Sequence, residues 1–152
     1  MTIAIASDHA GFPLKHHLVT FLRKNGYEIL DLGVDNAETP ADYPDAAQAV
    51  GEAILSGKAE RGIVLCGSGV GACIAANKMK GIYASIAHDT YSAAQGVEHD
   101  RMNVLCLGAR IIGQTLAEAI VLAFLTAKVS SEERHARRFG KVQKIENKLT
   151  SI

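Results

Sequence analysis

The sequence has no excess of charge of either sign: sixteen Lys plus Arg balance sixteen Asp plus Glu, a formal net charge of zero. A global pull toward nucleic acid or an anionic membrane surface is therefore absent, and any basic patch must be local. Long apolar runs are also missing. None reaches the roughly 18 uncharged residues that a membrane span requires, and Asp8 and His9 interrupt the stretch where a signal peptide would need its apolar centre. The expected address is the cytosol. The three cysteines, Cys66, Cys73 and Cys106, are odd in number and sit in apolar segments, so a disulfide framework is not expected. They lack the C-x-x-C or H-x-x-x-H spacing of a zinc site, and the six histidines are scattered, so no metal is expected. There is no internal repeat, low-complexity tract or long linker to divide 1–152, whose length suits one domain.

What is present is alternation. Ile3-Ala4-Ile5-Ala6 reads as a strand, followed by Asp8-His9-Ala10-Gly11 and a helix with Leu14, Leu18, Phe21 and Leu22 on one face. Tyr27 to Leu32 reads as a second strand. A helix from Asp42 as N-cap to about Ser56 follows, with Pro44 in its first turn and Ala46, Ala47, Val50 and Ile54 inward. Ile63 to Cys66 is a third strand, then a glycine turn and a helix over 70–79. Strands over 82–87 and 103–107 flank a helix over 88–98 and a loop over 99–102. A helix over 112–127 is predicted to be amphipathic through Leu116, Ile120 and Phe124, and a last one over about 132–149 carries Phe139, Val142, Ile145 and Leu149 at helical spacing. Five strands alternating with helices predict a Rossmann-like α/β/α arrangement around a five-stranded parallel sheet, with an extra C-terminal helix. Because no strand follows that helix, the segment 130–152 is expected to pack on a partner subunit.

The chemistry gathers at Cys66-Gly67-Ser68-Gly69-Val70-Gly71. A strand, glycine turn and helix leave backbone N–H groups unpaired at the helix start, directed at a volume that favours negative charge. Cys66 and Ser68 place a thiol and a hydroxyl at its rim, and amides there favour a thiolate that can act as a base. Gly67-x-Gly69-x-x-Ala72 also matches the dinucleotide fingerprint, with Asp89 about 20 residues on, although that fingerprint normally occupies the first βα turn. Nucleotide binding by a regulatory domain is thus a rival reading. Cys73 and Cys106 are assigned to packing. Arg134 and Arg138, four apart on one helix face, suit a phosphate; a solvated basic face is the plainer alternative. His9 and His99 fall in expected loops near the carboxyl ends of strands, where ligands bind in such sheets. A soft base, a hydroxyl, an anion hole and cations together describe enolisation of a small phosphorylated carbonyl compound.

Asp8-His9-Ala10-Gly11, Asp42-Tyr43-Pro44, Cys66 to Gly71, Ile74 to Lys78, His99, Gly108-Ala109-Arg110 and Arg134-His135-x-x-Arg138 stand in an order that resembles the ribose-5-phosphate isomerase B family, which includes allose- and galactose-6-phosphate isomerases. The resemblance implies a homodimer with active sites shared across the interface, and leaves open whether dimers pair into a tetramer. It implies cofactor-free aldose-ketose isomerisation of a small phosphorylated sugar through a cis-enediolate. In that reading Cys66 is the base between C1 and C2, and Ser68 shuttles a proton between O1 and O2. The amides of Gly67, Ser68, Gly69, Val70 and Gly71 hold the enediolate, and His99 promotes ring opening with Asp8 nearby. His9, Tyr43, Asp100, Arg110, Arg134 and Arg138 bind substrate. Ser68 replaces a common Thr, and Ala72 stands where another branch has a glutamate base. Asp100 replaces a common Asn, which leaves the sugar open between ribose 5-phosphate and four- or six-carbon alternatives.

Overall fold

The computed structural model describes residues 1–149; the last three residues of the expected C-terminal segment lie outside them. Strands β1 (Thr2–Ser7), β2 (Glu28–Asp31), β3 (Arg61–Cys66), β4 (Ala84–Ile86) and β5 (Val104–Gly108) alternate with helices α1 (Phe12–Lys24), α2 (Tyr43–Leu55), α3 (Val70–Ala76), α4 (Thr90–Asp100) and α5 (Gln114–Thr126), and α6 (Glu133–Leu149) follows. All strand pairs are parallel, in the order β2-β1-β3-β5-β4. The expected α/β/α arrangement with its additional helix is what is observed. Among the described residues no helix is long and apolar enough to cross a membrane.

Side chains alternate across a strand, so each strand feeds two cores. Ile3, Ile5, Ile63, Leu65, Leu105 and Leu107 pack with α1, α4 and α5. Ala4, Ala6, Val64, Cys66, Val104 and Cys106 pack on the other face with Ala46, Ala47, Val50 and Ala53 of α2 and Ala72 and Ala76 of α3. The chain runs from β1 outward to β2, then returns past β1 to β3 and continues the opposite way. That reversal opens a crevice between the carboxyl ends of β1 and β3, where Asp8 and Cys66 lie.

Several boundaries differ from expectation. α3 ends at Ala76, and β4 is only three residues long. The Asn77 side chain accepts from the Ala84 N–H and donates to the Ala84 carbonyl, both at 2.8 Å, closing the outer edge of β4 at its first residue. His99 and Asp100 are not in a loop but in the last turn of α4, which closes on Arg101 in the left-handed conformation (φ 53°). Asp42 stands at the N-cap of α2 yet its side chain makes no capping bond; its carbonyl accepts from Asp45 N–H instead. Leu116 is 44% exposed, because α5 turns Ala117, Ile120, Val121, Phe124 and Leu125 inward.

α6 packs beyond the β4 edge. Phe139 meets the Tyr83 ring edge-on at 4.8 Å and lies under the Arg101 guanidinium, while Glu146 accepts from the Gly81 N–H and Tyr83 hydroxyl at 2.9 Å each. Of its apolar spacing series only Phe139 is buried; Val142, Ile145 and Leu149 are exposed. The helix is thus half satisfied by its own chain.

Candidate active site

Cys66 ends β3 on the alanine-rich face of the sheet and is almost fully buried. It lines a cleft of about 330 Å³ together with Asp8, Tyr43, Gly67, Ser68, Gly71, Arg110 and Ile111. The turn that follows is held by β5: Ala109 N–H donates to the Cys66 carbonyl at 2.9 Å, and Arg110 N–H to that of Gly67 at 3.0 Å. Gly108 comes so close that a Cβ on it would sit 2.6 Å from the Ser68 carbonyl oxygen. Gly69 takes φ 82°, a left-handed conformation that glycine adopts without strain, and so turns the chain from β3 into α3.

These constraints aim two amides inward. Gly69 N–H donates to Cys66 Sγ at 3.1 Å, and Val70 N–H to Ser68 Oγ at 3.2 Å. An N–H donor on the sulfur complements the negative charge of a thiolate. The expectation that all the amides from Gly67 to Gly71 stand open to an anion is therefore corrected, since two of them already serve the thiol and the hydroxyl. Helix geometry leaves Gly71 N–H, in the first turn of α3, without an intrahelical acceptor.

The walls come from three other segments. Asp8 is buried and its Oδ1 accepts from Gly11 N–H at 2.9 Å, which fixes the carboxylate at the end of β1. The Tyr43 ring lies on Gly71, so close that a Cβ there would be 2.7 Å from it. Arg110 extends across Gly67, with Nη1 3.3 Å from the place a Cβ would occupy, and puts a cation at the rim. Of the residues read from sequence, Asp8, Tyr43, Cys66, Gly67, Ser68, Gly71 and Arg110 meet here, and Ile111 is an addition that no sequence signal marked.

The others lie elsewhere in this chain. His9 is not in the cleft wall; its Nδ1 accepts from Ala41 N–H at 3.1 Å and anchors the segment before Tyr43. His99 stacks on His135, and Asp100 lines a separate hollow beside α6. Arg134 pairs with Glu132 at 2.8 Å, both side chains largely exposed. Neither it nor Arg138 borders the Cys66 cleft. Asp89 caps α4 by accepting from Ser92 N–H, and it follows β4, which β5 separates from β3. It is thus not beside the glycine turn, where a dinucleotide ribose would need an acceptor. Among the described residues, no group of three or more His, Cys, Asp or Glu could hold a metal ion.

Cys73 packs against the alanine-rich core from α3. It is only partly buried, and a hydrogen bond involving Cys106 is the main influence lowering its pKa to about 6, burial opposing and contacts with Ile86 and Asn77 assisting. The thiolate form dominates above that value and is lost as pH falls through it. Alkylation of Cys73 by iodoacetamide is therefore expected to rise through about pH 6 and level off near neutrality. Peptide mapping that finds Cys73 unmodified at neutral pH while Cys106 reacts would contradict this.

The chain belongs to the ribose/galactose isomerase family, whose model matches residues 3–142. It is 41% identical over 146 residues to ribose-5-phosphate isomerase B of Escherichia coli, covering 96% of this chain and 97% of that one. It is 42% identical over 128 residues to D-erythrulose-4-phosphate isomerase of Pectobacterium atrosepticum, covering 84% of each. Among solved structures, ribose-5-phosphate isomerase B of Clostridium thermocellum superposes with a TM-score of 0.94 at 46% identity, covering 98% of this chain and 99% of that one.

Proposed function

We propose that this protein is a sugar-phosphate isomerase interconverting an aldose and a ketose, with ribose 5-phosphate and ribulose 5-phosphate as its first substrate pair. The observation that carries the reading is a buried thiol facing Ser68 and Arg110 at the switch point of the sheet, in a chain of this family. Cys66 as thiolate removes the proton from C2 of the open-chain aldose. The electrons move into a C1–C2 double bond, giving a cis-enediolate, and the same sulfur returns the proton to C1. Ser68 passes the hydroxyl proton between O2 and O1, and Gly71 N–H with the polarised turn steadies the enediolate oxygen. Aldose and ketose are isomers, so the conversion calls for no redox partner.

Phosphate binding is assigned to Arg110, Arg134 and Arg138, with His9 anchoring the segment that leads to Tyr43 and with His99 and Asp100 serving the sugar end. Since His99, Asp100, Arg134 and Arg138 do not border the cleft of their own chain, a second subunit is the means of bringing them to it. The exposed Val142, Ile145 and Leu149 on α6 support that homodimer. Size-exclusion chromatography with light scattering tests it, and a monomer would sink it. Arg134→Ala and Arg138→Ala are each expected to raise KM for a phosphorylated sugar about tenfold with a smaller effect on unphosphorylated sugar. Equal losses on both would remove the phosphate clamp.

A four-carbon substrate is the second reading. The similarity to a D-erythrulose-4-phosphate isomerase supports it, and Asp100 leaves the choice of sugar open, because a carboxylate accepts but cannot donate a hydrogen bond and repels phosphate, unlike an amide. A coupled assay of the pure protein against four-, five- and six-carbon aldose phosphates decides between them. No turnover on any would overturn the proposal, and micromolar binding of NAD or ATP would favour the nucleotide rival.

A further inference from the structure

We propose that Gln95 is a positioning residue for His99, holding its imidazole in the tautomer with the proton on Nε2 so that this N–H is the edge offered to a sugar ring oxygen. The inference rests on the isomerase reading above. Gln95 and His99 are four apart on α4 and share a face. Gln95 Nε2 lies 2.8 Å from His99 Nδ1. An amide nitrogen has no lone pair to offer, so Nδ1 must accept and the ring proton belongs to Nε2.

A second contact holds the ring from its face. His135 of α6 stacks on His99 with centroids 3.8 Å apart and planes at 26°. His135 is only 5% exposed, and its Nδ1 is buried with no hydrogen-bond partner among the described residues. Burial lowers its affinity for a proton, as do His99, Arg134 and Arg138, against the opposing pull of Glu132. An uncharged His135 stacks on His99 without repelling it. One edge and one face of the His99 ring are thus occupied, and Nε2 is what remains.

An Nε2–H donor suits ring opening. The C1–O4 bond of a furanose breaks with its electron pair going to O4, while the O1–H pair becomes the second bond of C1=O1. The proton released from O1 reaches O4 through water, and His99 Nε2–H stabilises the charge that develops on O4 before it arrives. Neither His99 nor Gln95 gains or loses a proton overall. A four-carbon aldose 4-phosphate carries its phosphate on O4, cannot close this ring and needs no such step.

The tautomer is read by nitrogen-15 NMR of the imidazoles at about pH 8, above the ordinary histidine range, with His99 assigned by its loss in His99→Asn. The expected wild-type signals are a protonated Nε2 and a bare Nδ1, with a mixture of tautomers in Gln95→Leu. Gln95→Glu, which can only accept, should force the proton onto Nδ1. In turnover, Gln95→Leu is expected to lower kcat on ribose 5-phosphate about tenfold and Gln95→Glu further, with less than about a twofold change on erythrose 4-phosphate. A protonated Nδ1 in the wild type, an unchanged tautomer in Gln95→Leu, or equal losses on both sugars overturns the proposal. Failure of the wild type to isomerise either sugar counts against the isomerase reading instead, and the NMR comparison, which uses no substrate, still decides the role of Gln95.

Discussion

Replacing Cys66 with alanine is expected to lower isomerase turnover by about a thousandfold, the scale of losing the group that moves the proton, while the protein stays folded. The sulfur is small and nearly fully buried, and Gly69 N–H is a donor that alanine would leave without its acceptor. A modest fall in Tm is therefore expected beside a near-total loss of kcat. Cys66→Ser sharpens the test, because its hydroxyl can still accept from Gly69 but is a far weaker base precursor at neutral pH. Both variants should bind a substrate analogue with little change, since Arg110 and the proposed phosphate ligands are untouched. Near-wild-type turnover of either variant on every aldose phosphate tried would remove the cysteine from the mechanism.

Lys15→Met is expected to destabilise the fold by about 2 kcal/mol, the scale of losing hydrogen bonds from a charged donor, because the Asp31 carboxylate keeps access to solvent. Lys15 is 2% exposed, and its ammonium donates to Asp31 Oδ1 at 2.7 Å, the Leu32 carbonyl at 2.9 Å and the Val34 carbonyl at 2.8 Å. Methionine keeps the length of the side chain and loses all of these bonds. For a domain of this size the Tm should fall by roughly 4–8 °C, and urea denaturation should give the same sign. The clamp holds the chain as it leaves β2, on the way to Tyr43 in the cleft, so KM should rise as well. A Tm within a degree of wild type would mean that these bonds are replaced by water at no cost.

The strands with two buried faces were legible in the sequence because the two cores are written in alternate letters: Ile3 and Ile5 against Ala4 and Ala6, Ile63 and Leu65 against Val64 and Cys66. The glycine turn was legible as well, through the need for a left-handed residue between β3 and α3. What escaped depends on contacts across elements. The outer edge of β4 is closed by the Asn77 side chain bonded to Ala84, and Lys15 carries no sequence signal for the three acceptors that the fold gathers around it. The spacing of Val142, Ile145 and Leu149 marked an apolar face for a partner subunit, and the chain itself leaves these three exposed. The Gln95–His99 pair has ordinary helical spacing, and only the ring of His135 from α6 marks it out.

The unequal stature of the two cores divides the kinds of damage the protein can suffer. On the face of α1, α4 and α5 the residues are large, so trimming one opens a void and weakens the fold at a distance from the thiol. On the face of α2 and α3 alanines hold the helices close to the sheet, and there the harm comes from growth: one added methyl at Ala4, Ala6 or Ala72 would lever these helices outward and carry Tyr43 and Gly71 with them. Variation can thus spoil durability on one side of the sheet and turnover on the other, with limited overlap between the two.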